Sequence, residues 1–112
     1  MIEVEGNAGD FTGEFLSGGT VHIQGNAGDM AGVEMRGGIL IIEGECTRPC
    51  GNMTAGTVML HGTVHQMLPT FRFQGMQKEE FRGESVMMRV FRGDVANRGK
   101  GTLMVRGTGG VT

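Results

Sequence analysis

Residues 6–24 read GNAGDFTGEFLSGGTVHIQ and residues 25–43 read GNAGDMAGVEMRGGILIIE. The two align without a gap, and nine of nineteen positions are identical. A third unit, GECTRPCGNMTAGTVMLH, runs from Gly44 to His61 and is one residue shorter. Met1–Glu5 has the form of the closing piece of a further unit. A fixed period near nineteen marks a repeat architecture, in which each unit buries its apolar face only against its neighbours.

Each unit ends in a five-residue run: MIEVE, TVHIQ, ILIIE, TVMLH. Period-two alternation with β-branched residues, bounded by glycine, is the pattern of a half-buried strand. In register, Ile2, Val21, Leu40 and Val58 form one column, and Val4, Ile23, Ile42 and Leu60 a second. These two columns are expected to face inward. Glu3, His22, Ile41 and Met59, with the flanking Glu5, Gln24, Glu43 and His61, are expected to face outward. Glycines at 9/28, 13/32/51 and 19/38/56 then mark corners that need positive φ or close contact. One strand and several corners per nineteen residues predict an all-β chain, a right-handed single-stranded parallel β-helix with ~19-residue turns.

Composition supports this reading by exclusion. Glycine makes up 22 of 112 residues, but with two prolines and no three-residue period the chain is not collagen-like. Helices are disfavoured, because interior glycine costs about 1 kcal/mol per position. A hydrophobic fraction of 38% against 20% charged residues excludes a disordered linker. The length fits one β-helix domain over 1–112, with regular repeats over 1–62 and irregular C-terminal turns and a cap over 63–112. In the second part SVMMRVF (85–91) and TLMVR (102–106) alternate like strands, and GDVANRGKG (93–101) echoes the repeat corner. Pro69 marks a break, FRFQG (71–75) reads as a short strand, and QKEEFRGE (77–84) as a helical turn. Counted this way, the coil has six or seven turns, about 4.8 Å apart.

The string GDMAGVEMRGGILIIEG (28–44), repeated with slippage at 9–25, resembles a glycine-rich repeat domain. That domain is shared by the C-terminal region of the large glutamate synthase subunit and by the glycine-rich scaffold subunit of formylmethanofuran dehydrogenase. The tail, LPTF (68–71) followed by FRGESVMMRVFRGDVANRGKGTLMVRG (81–107), looks like the end of the latter. The resemblance implies a β-helical scaffold, with no catalytic residue and no cofactor of its own. It would belong to the complex that reduces CO2 and attaches the formyl group to methanofuran. It implies two partners: a catalytic subunit with molybdenum- or tungsten-pterin and iron–sulfur clusters, and an amidohydrolase-like subunit with a dinuclear metal site. Alternatives are a methylotroph formyltransferase/hydrolase complex, a glutamate-synthase-type repeat domain, and a stand-alone structural module. Members of the family are usually longer than this chain, with further repeats before its first strand.

Among candidate sites, Cys46, Cys50, His61 and His65 read C-x3-C-x10-H-x3-H, close to zinc-finger spacing. Val58 and Leu60 nevertheless fall in register with earlier strands, which predicts a β-helix there and ordinary thiols in a corner. Arg98-Gly99-Lys100-Gly101 lacks the spacing of a phosphate loop, and no Ser-His-Asp arrangement can be assembled. Ile39, Ile41, Met59, Met87 and Phe91 are apolar where a solvated strand should be polar, and they are the expected contacts to a partner subunit.

Charge is divided unevenly. Residues 1–65 carry eight acids and two bases (net −6), and residues 66–112 carry four acids and eight bases (net +4). A two-ended distribution fits docking between protein surfaces, and no basic excess with interleaved aromatics points to nucleic acid. The N-terminus has no signal-peptide pattern, no apolar run is long enough for a membrane helix, and two cysteines fit a reducing cytoplasm.

Overall fold

The computed structural model describes residues 2–14, 16–65, 70–81, 83–93 and 99–106. These residues are all-β, with nine strands and no helix among them: β1 (Ile2–Val4), β2 (Thr20–Ile23), β3 (Arg36–Ile42), β4 (Cys46–Thr47), β5 (Ala55–Leu60), β6 (Val64–His65), β7 (Arg72–Phe81), β8 (Glu84–Gly93) and β9 (Gly101–Arg106). Seven of them form one sheet in the order β1-β2-β3-β5-β9-β8-β7, and β4 with β6 forms a second. The first four strands of the large sheet are parallel and follow the repeat. Ile2 pairs with Val21, Val21 with Leu40, and Leu40 with Val58. The chain is a parallel β-helix of three stacked coils with a repeat near nineteen residues.

Both inward columns fill the core. Leu40, Val58, Ile23, Ile42 and Leu60 are fully buried, with Met35, Met53, Ala27 and Ala31 packed beside them. Ile2 is the exception, 62% exposed, because no coil lies beyond β1 to cover it. Backbone bonds at each step complete the stack, as where Gln24 N donates to Val4 O and Glu43 N to Ile23 O. At the corners, side chains replace the ladder. Asn7 Oδ1 accepts from Asn26 N, and Asn26 Oδ1 from Glu45 N, each at 2.8 Å. Asp10 Oδ1 likewise accepts from Asp29 N at 2.7 Å.

The corners depart from the glycine pattern in one informative place. Asp29 bridges Thr47, an offset of 18, so the third unit loses its residue before Thr47. Cys50, with φ 68°, therefore takes the left-handed corner held by Gly13 (75°) and Gly32 (73°); Gly51 does not. Phe11, Met30 and Arg48 share another left-handed corner (61°, 58°, 46°). Each such non-glycine residue carries strain of order 1 kcal/mol, held by the stack around it.

The second half differs from the expectation of further coils. Only β9 continues the parallel ladder, with Val58 opposite Leu103 and Leu60 opposite Val105. β8 then runs antiparallel to β9, and β7 antiparallel to β8, with a register shift between Phe73 and Gly75. Residues 77–84 lie in this hairpin and not in a helical turn. The short strand at 71–75 is the start of a ten-residue one. In place of six or seven coils there are three, with one added parallel rung. The hairpin competes successfully because Val86, Met88 and Val90 alternate on one face and find Met59 and Met104 to pack against. Pro69 and most of the 93–101 corner echo (residues 94–98) lie outside the described residues.

Candidate functional site

The zinc-like quartet is not brought together. Cys46 lies on β4 and Cys50 on the following corner, both buried in the main core. Burial pushes the Cys46 thiol up to about 12, so it stays protonated and is a poor metal ligand at neutral pH. His65, on β6, is exposed and lies 3.6 Å from Glu45 Oε2. No group of three or more His, Cys, Asp and Glu side chains that could hold a metal ion occurs among the described residues.

His61 departs from its expected solvated position. It follows β5 on the outer side of the sheet, yet it is only 9% exposed, because the end of β7 folds over it. Its ring stacks on Phe81 with centroids 3.7 Å apart and planes 18° apart. Among the described residues its Nδ1 has no hydrogen-bond partner. Burial, then the Arg106 cation and His22, hold the imidazole below its ordinary pKa, against an opposing pull from Glu43. The neutral ring stacked on Phe81 has no substrate-sized space beside it that would suit an acid–base role.

Beside it runs a polar ladder along the outer face. His22 Nε2 meets Glu43 Oε2 at 2.5 Å, and its Nδ1 lies 3.6 Å from Glu3 Oε1. At the corner, Arg48 binds Asp29 through two nitrogens, with Nε 3.0 Å from Oδ1. That guanidinium holds the Asp29 carboxyl below its usual range. These contacts link one coil to the next, and each is explained by stacking. A polar cleft of about 330 Å3 is lined by Glu34, Arg36, Asn52 and Thr54. With both charge signs and no nucleophile or buried base, it has no assembled chemistry.

The five apolar positions expected to face outward divide into three groups. Ile39 (39% exposed) and Ile41 lie on the outer face, in register with Thr20 and Thr57 and with His22 and Met59 respectively. Met59 is half-buried, covered by the cluster of Val86, Met88 and Met104. Phe91 faces the other way: it pairs with Leu103 and packs against the main core. Met87 shares its face, 46% exposed.

On that face the structure adds two positions that alternation in the sequence does not single out. Phe73 (57% exposed) meets the Phe91 ring edge-on at 5.6 Å, and Met76 is 51% exposed. Met76 lies opposite Arg89, and Lys78 opposite Met87. The register shift after Phe73 hides this grouping, since plain alternation from Phe73 would put Met76 on the opposite face. The signal that could have found it is Gly75, a glycine inside a strand pattern, which often marks a bulge.

No model of a known protein family matches this chain, and no curated protein matches it. Among solved structures, the fold matches a chain in the crystal structure of the formyltransferase/hydrolase complex FhcABCD from Methylorubrum extorquens in complex with methylofuran. The TM-score is 0.79 and the identity 28%, over 92% of this chain and 44% of that one, so this chain spans less than half of its neighbour's length. The three coils and the antiparallel tail are thus similar, in fold and in sequence, to part of a polypeptide from a multi-subunit enzyme complex.

Proposed function

We propose that this chain is a non-catalytic scaffold in an assembly of several subunits that handles formyl groups on a methanofuran-type carrier. The observation that carries the reading is the match, at 28% identity over 92% of the chain, to a component of a formyltransferase/hydrolase complex. The interior supports it: glycine corners, aliphatic columns and side-chain-to-backbone rungs use the residues for stacking, and the described residues assemble no nucleophile–base pair. Function then lies in what the surface holds, with Ile39, Ile41 and Met87 as contacts to partner subunits.

Two forms of the complex fit. The C-terminal resemblance of residues 81–107 favours a formylmethanofuran dehydrogenase, with a pterin-binding catalytic subunit and an amidohydrolase-like subunit as partners in the cytoplasm. The structural match favours the transfer/hydrolase form, which needs no CO2-reducing subunit. Co-purification through this chain, followed by assays for pterin and metal, separates them. A dehydrogenase returns molybdenum or tungsten with pterin, and the transfer/hydrolase form returns neither. Recovery of the chain without any formyl-handling partner would contradict both.

A further inference from the structure

We infer that the exposed face of the β7–β8 hairpin is a docking site for an amphipathic helix of a partner protein, with acidic residues flanking its apolar stripe. The inference rests on the reading of the chain as one component of a larger assembly and specifies one contact within it. Cross-strand neighbours share a face, so the pairs Met76/Arg89 and Lys78/Met87 form a checkerboard of two thioethers and two cations. Phe73 and Phe91 close one end of it, and Glu80 with Ser85, joined by a 2.7 Å hydrogen bond, closes the other. The opposite face of the hairpin is already used, since Val86 and Met88 are buried against Met104.

The occupant follows from shape and charge. Phe73 to Glu80 spans about 23 Å at roughly 3.3 Å per residue, which matches about four turns of helix at 5.4 Å per turn. A two-stranded face offers side chains and not backbone edges, so it receives a helix and not an added strand. Flexible methionines adapt to a helix's apolar stripe, and Lys78 and Arg89 among them select carboxylates on either side of it. Glu79, Glu80 and Glu84 at the turn end oppose an anionic lipid surface or nucleic acid there, and they orient the helix so that its basic or polar end meets the turn. A second copy of this chain docked by two-fold symmetry would set Lys78 and Arg89 against their own counterparts.

The test uses the complex assembled with its native partners. Carbodiimide cross-linking followed by peptide mapping should join Lys78 Nζ to an Asp or Glu within a helical segment of a partner subunit. Lys78→Glu should weaken assembly at least tenfold at low salt, with a smaller effect at high salt, as expected for a screened charge contact. The double variant Met76→Ser/Met87→Ser should weaken it at least tenfold at either salt. Both should keep the wild-type far-UV spectrum, because these side chains are exposed. Wild-type affinity in either variant, cross-links confined to this chain or to a second copy, or Lys78-dependent binding to anionic phosphatidylserine vesicles in place of the partner would overturn the inference alone. A wild-type chain that assembles with no partner at all would overturn the complex reading as well.

Discussion

From Ile2 to His65 successive coils are registered 18 or 19 residues apart and run parallel, whereas from Arg72 to Arg106 the strands turn back on one another through a hairpin. The coils bury one face of every strand in a shared interior, so each side chain depends on units on both sides. The hairpin buries its apolar face against the outside of the coil it follows, around Met59, Met104 and His61. It leaves the other face, with Phe73, Met76 and Met87, open. The stack therefore behaves as a cooperative one-dimensional array. The hairpin is a local addition with fewer buried neighbours. That contrast separates stability, which resides in the coils, from surface chemistry, which is concentrated on the hairpin.

The largest expected effect falls on the coil interior. Leu40→Ala removes a fully buried side chain between two neighbouring rungs and should cost about 3–4 kcal/mol in urea unfolding, within the range for buried leucine truncation. Met88→Ala, equally buried but in the small hairpin cluster, should cost about 2 kcal/mol, because the hairpin can relax into the cavity. Equal costs would erase the proposed difference between the regions. Next come two glycines with almost the same φ. Gly38 (76°) would place a Cβ 2.8 Å from Gly19 O, whereas Gly83 (79°) has open space around it. Gly38→Ala should thus lose about 2–3 kcal/mol, and Gly83→Ala only the left-handed strain of about 1 kcal/mol.

Much of the coil was legible in the sequence, because nine identities in nineteen and a period-two pattern report directly on stacking and on facing. Those signals place Val21, Leu40 and Val58 in one column without ambiguity. What they could not show is where a deleted residue is absorbed. Cys50 occupies a glycine-type corner because the stack over-determines that turn, and composition alone assigns the corner to Gly51. The hairpin was less legible for two physical reasons. SVMMRVF alternates equally well as a coil rung or as an antiparallel strand, and only long-range pairing with Arg72–Phe81 decides between them. The shift at Gly75 also reverses the facing of every residue after it. Of the candidate contacts, Ile39, Ile41 and Met87 were readable from alternation. His61 looks solvated in the sequence because its cover, Phe81, lies twenty residues away.

Smaller effects test how the hairpin is attached. His61 takes up a proton near pH 6.5 when unfolded, and at a lower pH when stacked under Phe81. Between those values the unfolded chain binds more protons, so stability should fall as the pH drops from about 6.5 through the folded pKa, and be unaffected above it. His61→Phe, which keeps the stack without the titrating group, should flatten that part of the profile in pH-dependent urea titrations. An unchanged slope would show that the latch does not couple to protonation. Smallest is Asn26→Ala, which deletes the acceptor for Glu45 N on an exposed corner and should cost about 1 kcal/mol. A larger loss would mean that the side-chain rungs, and not the aliphatic columns, dominate the stack.

The central claim is that the chain acts by holding other proteins together, and native mass spectrometry of the assembly isolated through this chain tests it most directly. The account predicts a stoichiometric complex containing formyl-handling subunits, with activity residing in those partners. A homogeneous species at the 11.9 kDa mass of this chain alone, under conditions that keep it folded, would contradict it.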